Sequence, residues 1–212
     1  MTRLDVNSNT ALIILKCFSN QLTSLDVSNN TALTDLSCGS NQLTSLDVSN
    51  NTALASLTCQ SNQLTSLDVS SNTALSNFEC TSNQITALDV SNNTELSWFK
   101  CGDNQLTSLD VSSNPNLNFL ICSHNQLTSL DVSSNTALTY LNCVANQLTY
   151  LNMKNGATGQ LSTFNATGNS SLTCIETLDP DYATANWTLA SGNIDDGVTF
   201  DVICGAEAQT NG

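Results

Sequence analysis

Basic residues are scarce in this chain of 212 residues. Four lysines and arginines stand against eighteen aspartates and glutamates, so the formal net charge is −14. Phosphate binding needs clustered lysine and arginine, which argues against a nucleic-acid partner and equally against an anionic membrane surface. No apolar run approaches the roughly 20 residues that span a bilayer, so no membrane insertion is expected. The opening Met1-Thr2-Arg3-Leu4 is not typical of a signal peptide.

Charge of either sign and histidine are also rare: 10% of the residues are charged, and one is a histidine. The polarity comes from serine, threonine and asparagine, which favour turns and strand surfaces over helix interiors. No glycine-rich phosphate loop or metal motif is present, and no nucleophile–base pair can be assembled. We therefore predict a protein that is not an enzyme and that has no cofactor.

A repeat of 21 residues dominates the sequence. The segment L-D-V-S-N-N-T-A-L begins at Leu25, and closely similar copies follow at intervals of 21 residues up to Leu130. Each unit reads L-D-V-S-x-N-T-A-L-x-x-L-x-C-x-x-N-Q-L-T-x. One such unit cannot bury its own apolar residues, but stacked units form a continuous core.

The half-unit L-x-x-L-x-C-x-x-N-x-L is the leucine-rich-repeat signature, with cysteine at its third apolar position. The chain resembles bacterial leucine-rich repeat proteins of the 21-residue nested, cysteine-ladder class, in particular the internalin-type adhesins. This resemblance covers Leu4 to Tyr150. It implies a β-rich solenoid of about eight coils, with a parallel sheet on one side and short strands or extended segments opposite.

The repeat pattern divides the chain into three parts. Residues 1–171 are the solenoid, with regular repeats over 4–150 and a degenerate last repeat over 151–171. Residues 172–204 are interpreted as a C-terminal cap, because an open solenoid end exposes strand edges and apolar core. Residues 205–212 are interpreted as a linker or disordered tail.

The nine cysteines fall into two sets. A metal-binding or redox array is one interpretation of the larger set. However, the spacing of about 4.8 Å between neighbouring coils is greater than the roughly 3.8 Å between the Cβ atoms of a disulfide. A straight column also lacks the four converging ligands of zinc, so buried, inert thiols are favoured. Cys174 and Cys204 lie outside the column, and we predict a disulfide between them and an oxidising compartment. The column consists of Cys17, Cys38, Cys59, Cys80, Cys101, Cys122 and Cys143.

An aspartate recurs in every unit and predicts a column of like charges. Hydrogen bonds from the following turn are the favoured explanation of how their repulsion is offset. Calcium, which prefers clustered oxygen ligands, is the alternative. The candidate calcium ligands are Asp26, Asp47, Asp68, Asp89, Asp110 and Asp131, which continue from Asp5.

Two outward positions of the predicted sheet vary between units, and they are the candidate ligand-binding residues. Strand alternation turns them away from the core. Three aromatic residues fall on consecutive coils, and exposed aromatic patches usually signify binding, although aromatic columns also stabilise sheets. The candidate residues are Trp98, Lys100, Phe119, Ile121, Tyr140 and Asn142, with Tyr150 as an expected extension of the patch.

The favoured function is a secreted or cell-surface binding or adhesion module that recognises a protein or a carbohydrate through this face. A structural spacer, or an accessory subunit of a larger bacterial surface complex, is the alternative. Ice binding is a remote third interpretation. It is suggested by regular threonine columns, but the neighbouring aspartate column is strongly hydrated and argues against it.

Overall fold

The computed structural model describes residues 1–205, so the predicted linker 205–212 lies outside the described residues apart from Gly205. Within them, one helix, α1, spans Pro180–Asn186, and a short 3-10 turn spans Thr158–Gln160. Every strand has three residues. The strands are β1 (Ile14–Lys16), β2 (Asp35–Ser37), β3 (Ser56–Thr58), β4 (Asn77–Glu79), β5 (Trp98–Lys100), β6 (Phe119–Ile121), β7 (Ser129–Asp131), β8 (Tyr140–Asn142), β9 (Tyr150–Asn152), β10 (Thr163–Asn165), β11 (Cys174–Glu176) and β12 (Thr199–Asp201).

The strands form two parallel sheets on opposite sides of the solenoid, and the shorter sheet is confined to the last coils, from Ser129 onward. The longer sheet has the order β1-β2-β3-β4-β5-β6-β8-β10, and the shorter one has the order β12-β11-β9-β7. Equivalent repeat positions pair directly, as Leu57 pairs with Phe78. The result is a parallel-sheet β-solenoid of about nine turns, which confirms the predicted fold class. The expected number of coils was about eight, and the difference arises because β11 and β12 continue the stack.

The C-terminal part combines these two last strands with helix α1. The helix begins at Pro180, whose missing N–H suits a first helical position. The Asp179 side chain accepts a hydrogen bond from the Tyr182 N–H and so caps the helix. Trp187 follows the helix and packs on Phe164, the core residue of β10, with ring centroids 4.3 Å apart. Helix α1 itself contacts β12 and the 3-10 turn, and Trp187 links its C-terminal end to the last strand of the longer sheet.

Each coil contributes leucine, valine and cysteine side chains to one continuous core. Leu57, Cys59 and Val69 are fully buried, as are their equivalents in the following coils. Phe78 and Phe99 occupy the inward leucine position of β4 and β5 and stack with centroids 5.4 Å apart. The sequence therefore alternates core and surface residues through each strand, which keeps the neighbouring outward positions in register.

One column of buried asparagines ties each coil to the coil before it. The Asn83 amide donates to the carbonyl oxygens of Cys59 (3.2 Å) and Cys80 (3.0 Å). Its Oδ1 accepts from the Leu64 N–H at 3.0 Å. Asn83 thus satisfies buried backbone groups on two coils, a role that a turn-forming asparagine would not by itself require.

A second asparagine column lies in the other half of the repeat and is bonded only on its donor side. The Asn72 amide donates to the carbonyl oxygens of Val48 (3.0 Å) and Asn51 (2.9 Å). Its Oδ1 is buried and has no hydrogen-bond partner. The same holds for the Oδ1 atoms of Asn30, Asn51, Asn93, Asn114 and Asn135.

A third column holds non-glycine residues in the left-handed region. Ser61, for example, has φ 55°. Residues other than glycine, asparagine and aspartate rarely adopt this conformation, and it costs roughly 1–2 kcal/mol per residue. The turn after each cysteine imposes it, since the N–H of Ser61 bonds to the Thr81 carbonyl of the next coil at 2.8 Å. The column consists of Ser19, Ser40, Ser61, Ser82, Asp103, His124 and Ala145.

Candidate functional site

Three aromatic side chains stand on the outward face of the longer sheet, and we call them the aromatic stack: Trp98, Phe119 and Tyr140. Strand pairing sets Trp98 opposite Phe119 and Phe119 opposite Tyr140. The Trp98 and Phe119 centroids are 3.7 Å apart with planes at 4°, and those of Phe119 and Tyr140 are 4.1 Å apart with planes at 18°. Trp98 is 38% exposed, and the other two side chains are half-buried.

The stacking decides which parts of these rings a ligand meets. Both faces of Phe119 are covered by its neighbours. Trp98 and Tyr140 each have one face against Phe119, and their outer faces are turned toward Asn77 and Thr163 on the adjoining strands. The stack therefore presents mainly ring edges to solvent, and these edges carry the positive part of the aromatic quadrupole.

The neighbouring outward column adds one charge and one aliphatic side chain. Lys100 pairs with Glu79 at 3.7 Å, with both side chains about three-quarters buried. Its Nζ is 5.3 Å from the Trp98 centroid and 5.8 Å from the Phe119 centroid. A cation almost equidistant from two stacked rings lies beside the stack rather than over a face, so its attraction to the rings is weak. Ile121 lies next to Lys100 on β6.

Asn142 follows Ile121 in this column, which continues to Asn165 on β10, and it is partly committed to its own turn. Its Oδ1 accepts from the Val144 N–H at 3.1 Å. The structure thus brings six of the predicted surface residues together on strands β5, β6 and β8. Their role in binding stays a prediction.

Tyr150 does not extend the aromatic stack, and its expected position was wrong. It lies in β9 of the shorter sheet, where it pairs with Ser129. Its hydroxyl donates to Glu176 at 3.2 Å, and Glu176 also forms an ion pair with Lys154. The residue belongs to the L-D-V half of the repeat, which faces the other side of the solenoid, so exposure and aromatic character alone misplaced it.

The aspartate column is hydrogen-bonded to its own turns. In Asp26, Oδ1 accepts from the Ser28 N–H at 3.0 Å and from the Ser28 hydroxyl at 2.6 Å. These bonds hold the pKa of the Asp26 carboxyl below its ordinary value. Asp47 shows the same pattern with Ser49, and there the charges of Asp68 and Asp26 raise the pKa by less than the hydrogen bonds lower it.

The calcium interpretation stays a prediction. Among the described residues, no group of three or more histidine, cysteine, aspartate or glutamate side chains is arranged to hold a metal ion. The candidate residues lie one per coil along the column, from Asp26 to Asp131.

The seven repeat cysteines form a buried ladder of free thiols. Burial raises the pKa of the Cys59, Cys80 and Cys101 thiols well above the ordinary value, and their mutual repulsion as thiolates raises it further. Burial raises the pKa of Cys143 to about 12, although a backbone hydrogen bond acts in the opposite direction. A neutral, enclosed thiol is a poor nucleophile and a poor metal ligand, so the ladder acts as packing.

Cys174 and Cys204 are joined by a disulfide with Cα atoms 5.8 Å apart. The bridge ties the start of β11 to the residues that follow β12. The Cys204 N–H also donates to Glu176 at 3.2 Å. The covalent link and the Glu176 network together fasten the last described residues to the end of the solenoid.

Sequence reasoning missed a surface pocket beside helix α1. It has a volume of about 360 Å³ and is lined by Trp187, Leu189, Asp196, Val198 and Phe200, among others. These residues lie outside the repeats, so no periodicity marks them. The only available signal was the close spacing of apolar and acidic residues over 187–200.

No family model matches the chain, and no curated protein matches it. Several solved structures are similar to it. The functional domain of InlJ from Listeria monocytogenes, described as including a cysteine ladder, matches at 42% identity and a TM-score of 0.75 over 83% of this chain and 41% of that one. An internalin of Listeria monocytogenes (inlF) matches at 25% identity and a TM-score of 0.70, over 92% of this chain and 62% of that one.

A third match comes from a plant. The leucine-rich repeat ectodomain of the receptor kinase GASSHO1/SCHENGEN3 from Arabidopsis thaliana, in complex with CASPARIAN STRIP INTEGRITY FACTOR 2, is 25% identical with a TM-score of 0.68. The match covers 81% of this chain and 22% of that one. The chain therefore spans well under half of the length of the InlJ and receptor chains it resembles.

The stacked coils, the parallel sheet and the buried asparagine columns define a leucine-rich repeat protein. Within that class, the cysteine ladder and the similarity to the InlJ functional domain confirm the prediction that this chain is of the 21-residue, cysteine-ladder type and resembles the internalins. Among the described residues, no helix is long and apolar enough to cross a membrane.

Proposed function

We propose that this chain is a binding module that recognises a protein partner through the outward face of its longer sheet, at a cell surface or outside the cell. The observation that carries the proposal is the aromatic stack. On the three preceding coils the same position holds Asp35, Ser56 and Asn77, and on the first coil it holds the exposed Ile14, so the stack is the large aromatic feature of this face. Tryptophan and tyrosine are enriched among the residues that dominate protein interfaces.

The geometry of the stack favours a protein over a carbohydrate. Sugars bind aromatic residues by laying an apolar face on an open ring face. Here both faces of Phe119 and the inner faces of the two outer rings are covered by stacked rings, and the outer faces adjoin Asn77 and Thr163. The exposed surface consists mainly of edges, with the aliphatic Ile121 beside them. Ring edges suit the faces of other aromatic side chains and the carbonyl oxygens of a peptide.

The solved structures support the same class of partner. The similar plant ectodomain was solved in complex with CASPARIAN STRIP INTEGRITY FACTOR 2. The extracellular or surface location rests on the disulfide between Cys174 and Cys204, which is typical of oxidising compartments, and on the resemblance to internalins. An adhesive role within a larger surface protein is the specific form of binding that we propose.

The test screens purified protein against an array of secreted proteins and membrane-protein ectodomains, and in parallel against a glycan array. Hits are measured again with the double variant Trp98→Ala and Tyr140→Ala. Loss of two central aromatic contacts predicts at least a thirtyfold weaker affinity for a partner that uses this face, which corresponds to roughly 2 kcal/mol or more. Losing two ring–ring contacts also costs roughly 1–3 kcal/mol of folding stability, so thermal melts accompany the binding assay.

The control is the double variant Thr44→Ala and Thr65→Ala, which removes two exposed side chains from a polar column outside the sheet face. It is expected to keep the affinity and the melting temperature. Partners that bind the aromatic variant as well as the wild type would contradict the proposal. So would binding confined to the glycan array. A double variant that fails to fold would show that the stack serves the sheet itself, as in a structural spacer.

A further inference from the structure

The pocket beside helix α1 combines an apolar floor with an acidic rim. Trp187 is held in place between Phe164 and Phe200, with centroids 4.3 and 5.8 Å away. Leu189 stands 56% exposed at the same pocket. An exposed leucine next to buried aromatic rings leaves an apolar surface that another molecule can cover.

The two carboxylates of the pocket differ in what they already bind. Asp195 accepts from the Gly168 N–H at 3.0 Å and from the Asn169 N–H at 2.8 Å, so both of its oxygens are engaged in holding the loop. Asp196 is exposed, and within residues 1–205 it takes part in no hydrogen bond or ion pair. Its neighbour Gly197 has φ +80°, a turn that glycine adopts without strain and that sets the orientation of this loop.

No cation from the C-terminal part of the chain can neutralise this carboxylate. After Lys154 the sequence contains no lysine, arginine or histidine. Lys154 itself forms an ion pair with Glu176 and donates to the Val202 carbonyl at 3.3 Å. The pocket is therefore apolar and negatively charged without an internal counter-ion.

We propose that this pocket takes the side chain of a lysine or arginine from the protein partner. These side chains have an aliphatic stem that covers apolar surface and a cationic end that stays near water. The stem would lie along Leu189 and Val198, and the charge would reach Asp196. The pocket volume of about 360 Å³ lies at the small end of the range for ligand sites and accommodates one such side chain.

This second contact rests on the proposed function only for the statement that the partner is a protein. It adds that the partner carries a basic residue, which is consistent with the net charge of −14. Charge complementarity of this kind raises association rates and excludes acidic competitors more than it raises affinity.

The test uses two small probes and does not need the natural partner. The probes are Nα-acetyl-lysine N-methylamide and its norleucine analogue, which retains the aliphatic stem but lacks the ammonium group. The Trp98→Phe variant leaves Trp187 as the single tryptophan, so its indole N–H signal reports on the pocket by NMR. We expect a saturable shift with the lysine probe and a two- to fivefold weaker dissociation constant with norleucine, the ratio for one exposed ion pair.

Substitution Asp196→Asn is expected to make the two probes equal. The matched control Asp181→Asn removes another carboxylate of the C-terminal part, on helix α1, and should leave the preference for lysine intact. Equal binding of both probes to the Trp98→Phe protein would overturn the proposal. An equal effect of the two aspartate substitutions, or no saturable shift, would also overturn it. The probes test the pocket and not the sheet face. A negative result with the probes would therefore overturn the pocket proposal without affecting the test of the sheet face by the aromatic double variant.

Discussion

Alkaline pH is expected to destabilise this protein far more steeply than an ordinary globular domain, because of the cysteine ladder. Six thiols, from Cys38 to Cys143, are completely enclosed, and burial raises the pKa of each of them, in Cys143 to about 12. In the unfolded chain they return to the ordinary value of 9.0. A group whose folded pKa is raised contributes stability that is complete below the unfolded pKa and is lost as the pH rises above it.

The size of the loss follows from counting protons. Between pH 8 and pH 10, each thiol that ionises only in the unfolded chain costs about 1.4 kcal/mol of unfolding free energy. Six such thiols together cost about 8 kcal/mol, which is comparable with the total stability of many domains. At pH 10 unfolding should release about five protons from the ladder.

Urea unfolding at a series of pH values between 7 and 10 measures this loss directly. Cys101→Ala removes one titrating thiol, so it should reduce the loss between pH 8 and pH 10 by about 1.4 kcal/mol. The matched control Val111→Ala creates a cavity at an equally buried position without a titrating group. It should lower stability at every pH and leave the pH dependence unchanged. A stability that is constant from pH 8 to pH 10, or ladder thiols that react with a thiol reagent in the folded protein, would refute the reasoning.

Three further predictions concern the other columns. Asn83→Ala should lower the free energy of unfolding by roughly 3–5 kcal/mol, because it leaves buried groups on two coils without hydrogen bonds. Asn72→Ala should lower it less, because the Oδ1 of Asn72 has no partner to lose. Urea unfolding of the two variants compares these losses. Ser61→Gly should leave stability unchanged or increase it by up to about 1 kcal/mol, because glycine adopts the positive φ without strain, and a lower melting temperature would contradict this. The aspartate column, whose pKa values are lowered by hydrogen bonds in Asp26 and its equivalents, should contribute stability that is complete above about pH 4 and is lost as the pH falls further; thermal melts at pH 5, 4 and 3 test it.

The solenoid and its inward columns could be predicted from the sequence because they are dictated by periodicity. A residue that recurs every 21 positions must occupy the same place in every coil, and apolar recurrence places it inside. The cysteine ladder and the outward position of Trp98 both follow from this argument. The same argument placed an asparagine at each turn, but it could not show that the amide of Asn83 bridges to the preceding coil, since that depends on the distance between coils.

Prediction failed where the repeat loosens. Tyr150 is the last residue before the degenerate repeat, and its assignment to the aromatic stack ignored the half of the unit in which it lies. The pocket at Trp187 and Asp196 is formed by a helix and a loop that carry no internal repeat. In such a segment the neighbours of a side chain are determined by tertiary packing, and no periodic pattern in the sequence indicates which residues come into contact.

The different roles of the inward and outward residues of each coil support the proposal that the aromatic stack contacts a partner. Leucine, valine, cysteine and asparagine inside each coil supply the packing and hydrogen bonds that hold the solenoid. Asp35 and Ser56 show that a polar residue suffices at the outward position of the sheet. Stacked rings do stabilise one another by roughly 0.5–1.5 kcal/mol per pair, but threonine or aliphatic pairs across a sheet give a similar gain. Stability alone therefore gives no reason to leave the indole of Trp98 38% exposed, whereas a partner that covers it does.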